Sequence, residues 1–93
     1  MERRQMKLLN NSNNHLAYVN RGLAFMEINE NQKAIDDFTK ALESIPKDYK
    51  TLYFRGLVYS YIGEVTKACI DLTNSKQLGY ELAGNKMLEI GCK

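Results

Sequence analysis

Apolar residues recur along this chain at intervals of three and four positions, which is the period of an amphipathic α-helix. The pattern predicts a short helix over 1–9 followed by five longer helices, and it offers no strand candidate bounded by turns. The longer helices are predicted over residues 15–28, 32–44, 49–62, 65–78 and 80–90. The chain is therefore expected to be all-α.

The residues between these segments give physical reasons for the helix limits. Asparagine and serine at 10–14 favour a polar loop, because their side chains compete for backbone hydrogen bonds, and Asn14 is a plausible N-cap. Pro46 lacks the amide that a continuing helix needs, and Asp48 can cap the helix that follows. Gly63 stands where a left-handed glycine ends a helix.

One pattern occurs twice in the chain, at an interval of 34 residues. The matching positions are Arg21, Gly22 and Leu23 with Arg55, Gly56 and Leu57; Ile28 with Ile62; Lys33 and Ala34 with Lys67 and Ala68; and Asp37 with Asp71. A fixed period of this size is typical of repeat proteins, in which each unit buries its apolar face against its neighbours. The repeat therefore favours a binding surface over a reaction.

The second helix of each copy has an apolar face that we expect to lie in the core. This face consists of Ala34, Ile35, Phe38, Ala41, Leu42 and Ile45 in the first copy, and of Ala68, Cys69, Leu72 and Ser75 in the second. The polar positions on the other side are interpreted as a solvated surface: Asp36, Asp37, Lys40 and Glu43.

Size, composition and charge restrict the class of protein further. Ninety-three residues make one domain at most, and 44% hydrophobic with 26% charged residues is ordinary for a globular protein. A net charge of +2 gives no reason to expect nucleic acid or an acidic membrane surface as a partner. No segment is apolar enough for a signal peptide or a membrane span, so we expect a cytoplasmic location.

Candidate chemistry is sparse. His15 is the only histidine and is interpreted as a surface or capping residue, so no nucleophile has a partner base. Cys69 and Cys92 lack the spacing of metal ligands or of a redox pair, and we expect the first to be buried and the second exposed. The glycines form no phosphate-binding cluster. No enzyme activity, metal or cofactor is therefore expected.

Both copies resemble the tetratricopeptide repeat, a unit of 34 residues folded as two antiparallel helices. In the first copy the signature positions hold Tyr18, Arg21, Gly22, Phe25, Ala34, Phe38, Ala41 and Pro46. In the second they hold Leu52, Arg55, Gly56, Tyr59, Ala68, Leu72 and Ser75, and the pattern departs at Tyr80, where the proline would fall.

The resemblance implies a right-handed α-solenoid with repeats over 15–48 and 49–82. Residues 80–91 are expected to form a C-terminal capping helix, because the position equivalent to Gly56 in a third repeat is Ile90.

The other end of the solenoid is less regular. Residues 1–14 are expected to form a short helical segment and a polar loop, with Leu8 and Leu9 as an apolar contact. Two repeats are fewer than the ~3 that such arrays usually need for stability. Either the chain belongs to a longer array, or a partner or a second copy of the chain covers its N-terminal face.

The resemblance further implies a concave groove lined by the first helices of the two units, which binds peptides or partner helices. The groove-facing positions hold Val19, Asn20, Leu23, Met26, Glu27, Lys50, Tyr53, Phe54, Leu57 and Tyr61. For Leu23 and Leu57, packing between neighbouring helices is the alternative interpretation. We therefore expect a non-catalytic module that binds a protein or peptide, with self-association as a homo-oligomer as the alternative, and no nucleic acid or membrane partner.

Overall fold

The computed structural model describes residues 2–92, with side chains for 14–92, and this part of the chain forms five α-helices and no strand. The helices are α1 (Glu2–Glu27), α2 (Asn31–Ser44), α3 (Tyr49–Tyr61), α4 (Val65–Gln77) and α5 (Glu81–Ile90). The all-α prediction is confirmed, and the predicted limits of α2 to α5 agree to within one residue at each end.

Consecutive helices pair as hairpins, and the hairpins stack side by side. α1 lies against α2 and α3 against α4, while α2 also packs against α3 and α4 against α5. Within the first hairpin His15 contacts Ala41 and Arg21 contacts Asp37, so the two helices are antiparallel. This stacking of like units is what the sequence period predicts.

The predicted polar loop at 10–14 is wrong, because α1 continues through it without a break. Asn14 consequently lies inside the helix and does not cap it. Asparagine and serine cost only about 0.5–0.7 kcal/mol each in a helix interior, and neither glycine nor proline interrupts this run. The expected contact of Leu8 and Leu9 concerns side chains outside the described residues.

The turn inside each hairpin depends on a residue in the left-handed backbone region. Gly63 has a φ of 81°, and Asn29, its counterpart in the first copy, has a φ of 64°. Asparagine tolerates this conformation better than most residues with a side chain. The predicted left-handed glycine at the end of α3 is confirmed, and asparagine performs the same task after α1.

Glycine in the first helix of each hairpin lets the two helices approach closely. A Cβ atom added to Gly22 would lie 2.6 Å from Cε1 of Phe38, and one added to Gly56 would lie 2.9 Å from Cγ of Leu72. Phe38 and Leu72 are both fully buried. A large side chain of the second helix therefore fills the space that glycine leaves free.

The two hairpins share a core where α2 meets α3. Phe38 stacks on Phe54 with ring centroids 6.0 Å apart, and Val58 is fully buried in the same cluster as Phe38. A polar contact spans the same junction, since Nη1 of Arg55 donates to the hydroxyl of Thr39 at 3.1 Å. Apolar stacking and one directed hydrogen bond thus fix how the repeats are oriented.

Two carboxylates on the second helices are buried, so the interpretation of Asp37 as a solvated residue is wrong. Asp37 accepts hydrogen bonds of 2.8 and 2.9 Å from the guanidinium of Arg21, and Asp71 accepts bonds of 2.7 and 2.9 Å from Arg55. These bonds raise the pKa of both guanidinium groups. Each buried carboxylate is paired with a guanidinium that donates two hydrogen bonds, which offsets the cost of removing the charge from water.

Ile45 was expected in the core but is 43% exposed, because it follows the last residue of α2.

A disulfide joins Cys69 of α4 to Cys92, just beyond the end of α5. This corrects the expectation of a buried and an exposed thiol, because both residues are half-buried. The disulfide could not be predicted from the spacing of 23 residues, because only the packing of α5 on α4 brings the two positions together. A cross-link that closes a loop of this length stabilises the fold by roughly 3 kcal/mol.

Candidate functional site

A pocket of about 550 Å³ lies where α1 and α3 end, on the surface formed by the first helices of the two hairpins, which we call the inner surface. We call this pocket the Tyr61 pocket. It is lined by Leu23, Met26, Glu27, Asn29 and Tyr61. The structure thus brings together four of the residues that the sequence predicts for a groove, and adds Asn29.

Helical spacing explains how these side chains meet. Leu23, Met26 and Glu27 are separated by three and four positions, so they lie on one face of α1. Tyr61 is the last residue of α3 and leaves 59% of its surface exposed, even though it is a large aromatic. Asn29 reaches the pocket because its left-handed backbone turns the chain immediately after α1.

A cation from α5 lies close to the same surface. Lys86 donates a hydrogen bond of 2.8 Å to Glu89, and this bond raises the pKa of its ammonium group. Tyr53 and Tyr61 add smaller electrostatic contributions in the same direction. The Lys86 side chain is 29% exposed, so α5 contributes a partly buried ammonium, while the Tyr61 pocket itself carries the carboxylate of Glu27.

A row of aromatic rings connects α5 to the core. Tyr80, which caps α5, lies 5.1 Å from Tyr53 and 5.1 Å from Tyr49, measured between ring centroids. Tyr53 in turn lies 5.9 Å from Phe54, which stacks on Phe38. Tyr53 is half-buried as a result, and its packing on Tyr80 helps to hold the start of α5.

The remaining predicted groove residues are distributed differently. Leu57 is buried, which agrees with the alternative interpretation of packing between neighbouring helices, and Phe54 is half-buried and stacks on Phe38. Val19 is half-buried, while Asn20 and Lys50 are exposed, and none of the three lines the Tyr61 pocket. Leu57 and Phe54 of α3 thus contribute to packing between neighbouring helices.

His15 is buried, which corrects its interpretation as a surface or capping residue. Its Nδ1 lies 3.0 Å from the carbonyl oxygen of Ala41, and its Nε2 lies 2.8 Å from Oδ2 of Asp48. His15 thus joins α1 to α2 and to Asp48, the residue that precedes α3. In the second copy the same junction is bridged by Ser75, which donates to the carbonyl of Tyr49 at 2.7 Å.

Asp48 combines two tasks at this junction. Its Oδ1 accepts from the backbone amide of Lys50 at 3.2 Å, which confirms the predicted cap of α3. Its Oδ2 accepts from Thr51 at 2.6 Å and from His15. Burial alone would raise the pKa of the Asp48 carboxyl, but these hydrogen bonds and the charge of His15 outweigh it and hold the pKa below its usual value.

We expect the Asp48→Asn variant to be less stable than the natural protein near neutral pH, but not in acid. A carboxyl whose pKa falls on folding adds stability above its unfolded pKa of about 3.9, and this contribution disappears as the pH falls through the folded value. Losing one charge-assisted bond costs about 1 kcal/mol, or about 4–8 °C in Tm. Thermal unfolding followed by circular dichroism should show this gap near neutrality and little of it below the folded pKa.

The matched control for this variant is Asp36→Asn, which alters an exposed carboxylate on α2. It should change Tm little at any pH, because Asp36 bonds only the side chain of Gln32, one turn earlier on the surface. A gap between Asp48→Asn and the natural protein that stays constant from neutral pH into acid would contradict the assigned role of the Asp48 charge.

Within residues 14–92, whose side chains the structure describes, no three His, Cys, Asp or Glu side chains cluster in a way that could hold a metal ion. No helix in the described range 2–92 has both the length and the apolar composition needed to cross a bilayer. The open inner surface therefore carries the arguments about function.

Stacked antiparallel hairpins with a repeated core define an α-helical repeat protein. Residues 15–48 match the family model of the tetratricopeptide repeat. The same signature positions recur in the second hairpin, so both hairpins are similar to the tetratricopeptide repeat. No curated protein and no solved structure shows significant similarity to the chain.

Proposed function

We propose that the chain binds a segment of a partner protein on its inner surface, with the Tyr61 pocket as the main anchor site. Tetratricopeptide repeats are generic protein-interaction modules, which gives the class of function. The observation that carries the finer proposal is Tyr61, a tyrosine with 59% of its surface exposed beside the half-buried Leu23 and Met26. Exposed aromatic residues at the edge of an apolar pocket are typical centres of binding energy.

The chemistry of the pocket suggests the chemistry of the segment. A volume of about 550 Å³ accommodates one large apolar side chain, with methionine adapting to its shape. Glu27 in the pocket lining favours a basic residue next to that anchor, and the ammonium of Lys86 on α5 favours an acidic one. The proposed segment therefore has an apolar anchor between residues of opposite charge.

The remaining expectations form part of the same proposal. A purely binding role without catalysis agrees with the lack of a candidate base beside any nucleophile in the sequence. A net charge of +2 offers little attraction to nucleic acids or acidic membranes. A cytoplasmic location is also part of the proposal. Reducing conditions in the cytoplasm would hold Cys69 and Cys92 as thiols.

Selection of peptides from a displayed random library on the immobilised oxidised chain tests the binding proposal. We expect enriched sequences with an apolar residue between a basic and an acidic one. Tyr61→Ala should weaken the selected peptide at least ~10-fold, because a hot-spot side chain contributes more than ~1.4 kcal/mol. Fluorescence anisotropy with a labelled peptide provides the measurement.

The matched control is Ile70→Ala, which removes a similarly exposed apolar side chain from the outer face of α4. It should leave the affinity unchanged. A peptide whose affinity depends on Ile70 and not on Tyr61 would contradict the proposal. The alternative occupant of the pocket is a second copy of the chain. If sedimentation shows a dimer and Tyr61→Ala dissociates it, the pocket binds that second copy and not a peptide.

A further inference from the structure

The helix α5 packs on α4 and leaves much of its own surface exposed. Among residues 81–90, all of them described, Ala83 alone is buried. Leu82 and Leu88 of the same helix remain 51% and 80% exposed. Isolated helices shorter than ~12–15 residues are marginal in water, so α5 depends on being docked.

Two contacts dock the ends of α5, in addition to the buried Ala83 within the helix. At the first end Tyr80 packs against Tyr49 and Tyr53. At the other end, the bond from Cys92 to Cys69 attaches the chain beyond α5 to α4. Without that bond, the second half of α5 would be held by the half-buried Lys86, Met87 and Ile90, and the sulfur of Met87 lies 4.0 Å from the hydroxyl of Thr73.

We propose that the Cys69–Cys92 disulfide is a redox latch that holds α5, and with it Lys86, on the inner surface. In the oxidised chain Lys86 stays beside Tyr53 and Tyr61. In the reduced chain the second half of α5 detaches, and the ammonium leaves the groove. The consequence for partner binding rests on the proposed function, whereas the detachment of α5 does not.

The switching step is thiol–disulfide exchange with a dithiol reductant. A thiolate of the reductant attacks one sulfur of the disulfide, forms a mixed disulfide and releases the other cysteine as a thiolate, which takes up a proton. The second thiol of the reductant then closes its own disulfide and releases the remaining cysteine. The protein gains two electrons and two protons, and the reductant loses both.

The position of the disulfide allows a reductant to reach it. Cys69 and Cys92 are half-buried and line a surface depression of about 500 Å³, together with Val65, Ile70 and Gly91. This depression is lined by α4 and the chain after α5, and none of the residues of the Tyr61 pocket belongs to it. Reduction and segment binding therefore take place at separate surfaces, which is what a regulatory site requires.

Detachment of α5 would change the inner surface in a specific way. The surface would lose the ammonium of Lys86, whereas Tyr80, at the first end of α5, would keep its packing on Tyr53. The Tyr61 pocket itself would remain, because its lining comes from α1, α3 and the turn after α1. The reduced chain should therefore bind apolar anchors without preference for an acidic neighbour.

Amide hydrogen exchange on the full chain, measured by NMR, tests the latch without any ligand. The oxidised chain is compared with the same chain in dithiothreitol and with the double variant Cys69→Ser, Cys92→Ser. We expect amides in the second half of α5, such as those of Met87 and Leu88, to exchange at least ten times faster in both samples that lack the disulfide. The amide of Phe38 in α2 serves as the internal control and should be unchanged.

Equal protection of α5 in all three samples would overturn the latch, and faster exchange throughout the chain would show that the disulfide stabilises the fold as a whole instead. A peptide selected on the oxidised chain adds a second arm, with an expected loss of at least five-fold in affinity on reduction. Equal affinity in both states would overturn the control of binding. Failure to select any peptide would count against the proposed function, while the exchange result would still decide the latch.

Discussion

Replacing Phe38 by alanine is expected to lower the free energy of unfolding by about 3–5 kcal/mol, the range for deleting a buried aromatic ring. Phe38 is fully buried, fills the space above Gly22 and stacks on Phe54 of the next hairpin. One ring therefore serves both the contact within the first repeat and the contact between the repeats. Because a chain of 93 residues has a small stability margin, this loss can remove most of it.

Urea unfolding followed by circular dichroism measures this effect. Tyr61→Ala is the control, since it removes an aromatic ring that is mostly exposed and should cost less than about 1 kcal/mol. It also shows that the variant used for binding is folded. If Phe38→Ala cost no more than Tyr61→Ala, the shared core between the repeats would not be the main source of stability.

The second large effect is expected for Arg55→Ala, at about 3 kcal/mol, the low end of the cost of breaking a buried ion pair. The variant leaves Asp71, with only 4% of its side chain exposed, without its bidentate partner. It also removes the hydrogen bond to Thr39 that joins the two repeats. The remaining carboxylate then has to be hydrated or protonated inside the hairpin, and both are unfavourable.

Arg21→Ala is the matched comparison, because Arg21 makes the same bidentate bonds to Asp37 in the first repeat. The Arg21 side chain is 62% exposed, against 21% for Arg55, so water can replace its guanidinium. We expect Arg21→Ala to destabilise the chain clearly less in the same urea experiment. Equal losses for the two variants would show that burial by the neighbouring repeat adds nothing to the ion pair.

Much of the helical framework could be predicted because the determining signals are local or periodic. The limits of α2 to α5 follow from Pro46, Asp48, Gly63 and the apolar spacing, all within a few residues of the positions they control. The periodic placement of Gly22 and Gly56 likewise predicted where helices approach closely. These signals need no knowledge of distant contacts.

The polar interior could not be predicted in the same way. A histidine or an aspartate on a helix looks solvated until its partner is known, and the partners of His15 and Asp37 lie on other elements of the fold. The recurrence of Asp37 as Asp71, alongside Arg21 as Arg55, was the available signal for a repeated ion pair.

The candidate site was predicted in part, for a related reason. Leu23, Met26 and Tyr61 occupy positions that the resemblance to the tetratricopeptide repeat assigns to a groove, and all three line the Tyr61 pocket. Lys86 was missed because its place depends on how α5 docks. The disulfide between Cys69 and Cys92 was missed for the same reason, as only tertiary packing brings these two residues together.

The most direct test of the account is an NMR titration of the oxidised, isotope-labelled chain with a peptide selected on it. The account predicts that the largest chemical-shift changes occur at the amides and methyl groups of the Tyr61 pocket, above all Leu23, Met26 and Asn29, with smaller changes at Lys86. Changes concentrated at Ile70 and the outer face of α4, with the Tyr61 pocket unaffected, would contradict it.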